Sequence, residues 1–321
     1  MIENLVCTNC KGNLFYAERE IICNHCGKRF DLIDGFPIMF GEKFDDDIKD
    51  LRNLYDTQGF KEDDRQNLRG LKRIMAEHSI NKILDINFNL IKPFLKNARV
   101  LEVGCGMGQL TEKLSSEANE VYAFDLSLNN LAYTRDNRAA ENVFLFLGNA
   151  LEIPFRDNFF DIVVASEVIE HVPDPRRMTD EINRVCRKGG RICISTPNAN
   201  IIFYPRFFFF MLLSPLNWIH RLKREENWNN RGIYDRWFFP VTLKKLFQQK
   251  RLDILKYETA IYFYWRGFFY YFCFFLENID FDPVHIFQIY LRITDYLIEN
   301  EILFFNKLGT RQFFLLETFH G

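Results

Sequence analysis

The sequence predicts an α/β protein built on a doubly wound, mainly parallel sheet. A small cysteine ribbon precedes the sheet, and an aromatic-rich helical insertion sits near the C-terminus. Three observations predict this. Between residues 98 and 198 short apolar strands alternate with helical segments, the pattern of a parallel sheet covered on both faces. The first of those strands runs directly into Gly104-Cys105-Gly106-Met107-Gly108 and then into a helix. Two Cys-x-x-Cys pairs, Cys7/Cys10 and Cys23/Cys26, stand twelve residues apart. At 321 residues, 48% hydrophobic and 26% charged, the chain suits one large domain plus a small one, and it is neither disordered nor fibrous. Its 41 basic and 43 acidic residues leave a net charge of -2, so no global positive field draws it to nucleic acid.

The ribbon comes first. Each Cys-x-x-Cys pair lets two thiolates converge from one tight knuckle, and two knuckles supply a tetrahedral sulfur shell for Zn²⁺. Gly12 and Gly27 follow the pairs where the chain turns beneath the metal, and residues 14–16 and 20–22 read as short strands of a hairpin. With Cys7, Cys10, Cys23 and Cys26 all used as ligands no position stays open, so the zinc is predicted to be structural. The start Met1-Ile2-Glu3-Asn4 has no basic and apolar export pattern, and paired cysteines of this kind belong to a reducing compartment. The expected location is therefore cytoplasmic. Cys105, Cys186, Cys193 and Cys273 stand among apolar neighbours and read as small buried hydrophobes. The acidic stretch 42–50 reads as a solvated linker.

Helical segments around 48–55 and 68–95 lead to the strand Ala98–Val103. The glycine turn after it permits close backbone approach, and the following helix offers free N–H groups at its start. A second strand, 121–125, ends in Asp125 about twenty residues on, placed to accept hydrogen bonds from ribose hydroxyls. Strands 143–147 and 160–165 follow, then a helix over 176–187, the turn Lys188-Gly189-Gly190 and a strand over 191–195. Ligands of such sheets bind at the carboxyl ends of the strands.

Leu101-Glu102-Val103-Gly104-Cys105-Gly106-Met107-Gly108, Phe124-Asp125-Leu126-Ser127, Asn149-Ala150-Leu151-Glu152-Ile153-Pro154-Phe155 and Lys188-Gly189-Gly190 resemble successive motifs of class I S-adenosylmethionine-dependent methyltransferases. The resemblance covers residues 98–198 and implies a Rossmann-like, seven-stranded sheet. It also implies that Gly104, Gly106 and Gly108 line the methionine end of S-adenosyl-L-methionine, that Glu102 holds that end, that Asp125 binds the ribose, and that Asn149 and Ala150 meet the adenine. The family often has Asp at the position of Asn149; an amide oxygen can still accept from the adenine amino group. Cys7 to Met39 resembles the zinc ribbons that accompany methyltransferases, fused or as separate activator subunits.

Ser166-Glu167-Val168-Ile169-Glu170-His171 is similar to the matching segment of ubiquinone-pathway O-methyltransferases and is expected over the methyl group, with Glu167 among the cofactor residues. His171 offers a general base for a hydroxyl. Two other readings stay open: Glu167, Glu170 and His171 hold a Mg²⁺, or they cap the helix and orient a loop. No Asn-Pro-Pro-aromatic motif, the companion of base-amine methylation, is present.

The last part is set apart by composition. Residues 199–321 hold 34 of the 52 Phe, Tyr and Trp residues, including all four Trp. Neither apolar stretch, around 201–213 or 261–276, makes a transmembrane span, because Pro205, Arg206 and Pro215 break the first and Arg266 sits in the second. Residues 221–251 carry nine basic and three acidic side chains. Aromatic surface beside a basic run suits a peripheral contact with the cytoplasmic membrane face, or else a helical cap with an aromatic core. Strands at 252–257 and 310–316 are expected to complete the sheet. The expected division is a zinc ribbon over 1–41, the cofactor-binding core over 42–198, and a substrate-binding aromatic region over 199–321. The expected function is methylation of a hydrophobic or lipid-linked small molecule at a hydroxyl. The alternative is a ribosomal RNA methyltransferase guided by the ribbon and the 221–251 run, with Trp228 and Trp237 stacking on bases.

Overall fold

A computed structural model describes residues 2–17, 20–40, 71–199, 236–260, 292 and 311–319. The strands are β1 (Leu14–Ala17), β2 (Glu20–Cys23), β3 (Arg29–Ile33), β4 (Phe36–Met39), β5 (Arg99–Val103), β6 (Glu120–Asp125), β7 (Val143–Gly148), β8 (Phe160–Ser166), β9 (Cys186–Pro197), β10 (Leu252–Ala260) and β11 (Arg311–Thr318). The helices are α1 (Leu71–Ile91), α2 (Gln109–Ser115), α3 (Leu128–Asn137), α4 (Pro175–Val185) and α5 (Pro240–Gln249). All eleven strands join one sheet in the order β1-β2-β3-β4-β7-β6-β5-β8-β9-β11-β10.

Strands β7, β6, β5, β8 and β9 run parallel, and β11 is antiparallel to both of its neighbours, β9 and β10. The chain leaves β5 towards β6 on one side and returns to β8 on the other, so the crevice at the carboxyl end of β5 is the topological switch point. Strands covered on both faces must be apolar throughout. Accordingly Val100, Leu101 and Val103 of β5 and Ile162 to Ala165 of β8 are buried without a break. On one face Ile83, Ile91, Leu110, Leu114 and Phe313 pack together; on the other lie Phe146, Phe155, Phe160, Met178, Ile182, Phe247 and Phe314. The consecutive residues Phe313 and Phe314 thus serve opposite sides of the sheet. The two closing strands expected from the sequence are present as β10 and β11.

The ribbon is part of the same sheet. Asp34 and Gly35, with φ of 52 and 83, make the tight turn between β3 and β4, as an Asp-Gly pair does in a hairpin. These two strands are not among the elements expected from the sequence. Strand β4 then pairs parallel with β7, Ile38 against Leu147 and Met39 against Gly148. Ile2, Leu5, Leu14, Ile21, Phe30 and Met39 share one core with Phe124, Phe146 and Phe155. Val6 N donates to Pro154 O at 2.9 Å, and Asn4 Nδ2 to the Tyr122 hydroxyl at 2.7 Å. The helix expected around 48–55 and the aromatic insertion lie outside the described residues. No helix among the described residues is long and apolar enough to cross a membrane.

Candidate active site

The glycine turn is stitched to β6: Gly104 N and Cys105 N both donate to Phe124 O, at 2.9 and 3.0 Å. Gly104, Gly106 and Gly108 all have positive φ, where a side chain is strained, but their surroundings differ. A Cβ on Gly104 would lie 2.7 Å from Val168 Cγ2, and one on Gly108 2.5 Å from Thr134 Cγ2. At Gly106 a Cβ would meet nothing within 4 Å. That backbone faces open space and can be approached closely.

Polar side chains converge on the turn. Glu102 is buried beneath it, and Thr111 Oγ1 donates to its Oε2 at 2.6 Å. Burial pushes this carboxyl up to about 8, with the Asp125 charge adding to the effect and the Thr111 hydroxyl opposing it. Asp125 Oδ2 accepts from Gly106 N at 2.8 Å, and its Oδ1 from Ser127 N at 2.9 Å. Burial raises the Asp125 pKa against these amides. Asn149 and Ala150 are buried at the end of β7, where Asn149 Oδ1 accepts from Leu151 N at 3.0 Å. An open glycine backbone flanked by the buried Glu102 and the half-buried Asp125 fits a ligand with a cationic end and hydroxyls, as S-adenosylmethionine has.

Beyond β8 the chain reverses sharply, and Glu167 takes a φ of 58. Arg311, the first residue of β11, pairs through Nε with Glu167 Oε2. Glu167 Oε1 is buried and carries no hydrogen bond. Glu170 is buried, accepts from Thr196 Oγ1 at 2.9 Å, and is raised well above the carboxylate range by burial and by the neighbouring Glu167. His171 is partly exposed, its Nε2 4.0 Å from Glu170 Oε1. Glu167, Glu170 and His171 are neighbours but do not converge as metal ligands. Among the described residues the cysteines make the one group of metal-ligating side chains whose atoms gather within 4.8 Å. The sequence expectation of a Mg²⁺ at the three residues therefore has no support: the carboxylates face Arg311 and Thr196 instead.

Several residues here were not singled out from the sequence. Asn87 of α1 is fully buried and its Nδ2 reaches Ser166 Oγ at 2.9 Å, Ser195 Oγ at 3.0 Å and Ile83 O at 3.0 Å. It stands between Ile83 and Ile91 in the helix's buried stripe, and that placement of a polar residue was its only signal. Arg236 N donates to Glu170 O at 3.2 Å, and its guanidinium reaches the Val172 and Pro173 carbonyls. Gln312 Nε2 bonds Phe238 O at 2.8 Å and Pro197 O at 3.2 Å. Within the basic run, Lys250 pairs with Asp180 and Lys244 lies over the Tyr257 ring.

The four thiols meet at the other edge. Cys7 Sγ lies 3.6 Å from Cys26 Sγ, and Cys10 Sγ 3.4 Å from Cys23 Sγ. Both knuckles close alike, with Lys11 N on Cys7 O at 2.8 Å and Gly27 N on Cys23 O at 3.1 Å. A Cβ on Gly12 would lie 2.8 Å from His25 Cβ and 3.1 Å from Cys23 Sγ. The cluster has the donors and compactness to hold a tetrahedral ion such as Zn²⁺.

A parallel sheet with a glycine turn and buried acids at its switch point defines an α/β enzyme of the nucleotide-cofactor kind. Residues 101–194, from β5 through β9, match the family model described as a methyltransferase domain. A demethylmenaquinone methyltransferase of Staphylococcus aureus is 31% identical over 165 residues, covering 48% of this chain and 67% of that protein. Among solved structures, an S-adenosylmethionine-dependent methyltransferase of Mesorhizobium loti has a TM-score of 0.49 at 15% identity, covering 73% of this chain and 96% of that one. Phosphoethanolamine N-methyltransferase 2 of Haemonchus contortus, solved with S-adenosyl-L-methionine, gives 0.45 at 18%, covering 74% and 53%. This chain belongs to the class I S-adenosylmethionine-dependent methyltransferases.

Proposed function

We propose that this methyltransferase acts on a hydrophobic, lipid-linked small molecule of the quinone kind, at a hydroxyl. One observation carries the reading. Segments 200–235 and 261–310 hold nine and seventeen aromatic residues, half of the 52 in the chain. The first residue after each, Arg236 and Arg311, touches the acid turn, at Glu170 and at Glu167. Two aromatic-rich stretches of the sequence are thus each followed directly by a residue that contacts the acid turn, where an acceptor would meet the methyl group. The demethylmenaquinone methyltransferase likeness supports the same acceptor class.

In this reading Glu102 and the turn of Gly104, Gly106 and Gly108 hold the methionine end of the cofactor, Asp125 the ribose, and Asn149 with Ala150 the adenine. Bound S-adenosylmethionine supplies a methyl group already activated on a sulfonium. The chain's part is to align acceptor and methyl and to exclude water. Glu167 faces the sulfonium side, and His171 takes the proton that the acceptor hydroxyl loses. Cys7, Cys10, Cys23 and Cys26 hold a structural Zn²⁺. The aromatic segments and the 221–251 run bring the enzyme to an anionic membrane surface where such acceptors reside.

The test is methyl transfer from labelled S-adenosylmethionine to lipid and RNA extracts of cells lacking the protein. Label is expected in one lipid-soluble product. Label in ribosomal RNA alone would replace this reading with the nucleic-acid one. For the membrane contact, sedimentation with anionic vesicles should weaken but persist at high salt, because only the electrostatic part is screened.

A further inference from the structure

Two carboxylates and an imidazole within one turn, such as Glu167, Glu170 and His171, are the oxygen- and nitrogen-rich set that a hard divalent ion takes. In this chain a side chain already stands there. Arg311 Nε lies on Glu167 Oε2, and the Arg311 backbone is held in register between Pro197 of β9 and Ala260 of β10, which fixes where this side chain starts. Glu170 is occupied separately: it is buried and its Oε2 takes the Thr196 hydroxyl.

We propose that Arg311 is the resident cation of this acid cluster, so that the acceptor side of the site takes no divalent ion and methyl transfer needs none. A guanidinium stays charged at any working pH and matches a carboxylate in shape, so it neutralises Glu167 permanently. Burial, and then the neighbouring Glu167, push the Glu170 pKa well above the carboxylate range, which makes that carboxyl a poorer metal ligand. One anion balanced by one fixed cation leaves no net negative charge for a divalent ion, whose approach the guanidinium opposes. Arg311 is thus a positioning residue: one Glu167 oxygen is tied, and the other, buried and without a hydrogen bond of good geometry among the described residues, is left for the ligand.

The inference rests on the 166–171 turn being the acceptor side. Its test uses no acceptor, so a wrong substrate assignment would leave it standing. The full-length, zinc-loaded chain is titrated with Mn²⁺ in the presence of S-adenosylhomocysteine, and free ion is read by electron paramagnetic resonance. Wild type should bind no Mn²⁺ up to about 1 mM. Arg311→Gln should gain one site at least about tenfold tighter, and adding Glu167→Gln should remove it. Arg311→Lys, which keeps the charge, should stay blind to the ion. A wild-type site that Glu167→Gln abolishes would overturn the proposal. So would an Arg311→Gln protein that holds S-adenosylhomocysteine normally and still ignores Mn²⁺. If Arg311→Gln does not fold, the other two titrations decide: Mn²⁺ bound by wild type or by Arg311→Lys refutes the proposal, and none bound by either supports it.

Discussion

The two halves of the site, β5–β6–β7 and β8–β9–β11, are held together in different ways. In the first half polar side chains bind partners close in the chain: Asp125 takes the amides of Gly106 and Ser127, Asn149 takes that of Leu151, and Glu102 takes the Thr111 hydroxyl nine residues on. In the second half they bind one another across long stretches of chain, as in Asn87 with Ser166 and Ser195, Glu167 with Arg311, and Glu170 with Thr196. A local arrangement can be carried by a short motif. A distributed one exists only when several elements have already packed. The halves are joined along the β5–β8 pairing, and at its carboxyl end Val168 fills the space above Gly104.

The largest effect should come from outside both halves. Changing Cys7 and Cys23 together to Ser should remove the metal found by elemental analysis and unfold the ribbon, a loss on the order of 10 kcal/mol in metal-linked folding. Because β4 shares the sheet with β7, the melting temperature of the whole chain should fall, and the first half should suffer more than the second. Asn87→Ala attacks the second half alone. It removes the Asn87 donor from the Ser166 and Ser195 hydroxyls, the second of them buried, and should cost about 3 kcal/mol in denaturant unfolding, with cofactor affinity unchanged. If affinity drops as far as stability does, the halves are not separable in this way.

Gly106→Val and Asp125→Ala do the reverse. Each should weaken S-adenosylmethionine at least tenfold, about 1.4 kcal/mol by calorimetry, while unfolding changes less than in Asn87→Ala. The smallest effect is a proton. Burial sets Glu102 at about 8 against an ordinary 4.5, so the folded chain holds a proton that the unfolded chain has lost. Its contribution to stability is complete below about pH 4.5 and disappears as pH rises through 8. The cofactor's positive end favours the carboxylate, so binding near pH 7 should release a proton. Calorimetry in buffers of different ionisation heat detects this, and Glu102→Gln should abolish it.

This contrast also explains what could be read from the sequence. The glycine turn, Asp125, Asn149 and the paired cysteines lie in runs of a few residues whose spacing reflects backbone geometry; the structure puts the first three at strand ends and gathers the four thiols into one cluster. Arg311 and Glu167 are 144 positions apart by their numbering. Nothing near Arg311 in the chain marks it, since its role depends on β11 settling beside β9. Asn87 was legible only as a polar residue in an apolar stripe, without its partners. The Mg²⁺ reading lacks support for the same reason: the local motif offered ligand types, and the guanidinium that lies on Glu167 comes from a distant strand.

The parallel pairing of β4 with β7 also bears on how the chain is made. The ribbon is synthesised before β7, so its last strand finds its partner only when the chain has grown by roughly a hundred residues. During synthesis β4 is therefore an open edge, a surface that would pair with strands of other nascent chains. When β7 arrives it docks on a preformed template instead of ending the sheet. Detaching the ribbon would move that open edge onto β7 of the finished enzyme, so soluble yield should fall even if the remaining chain folds.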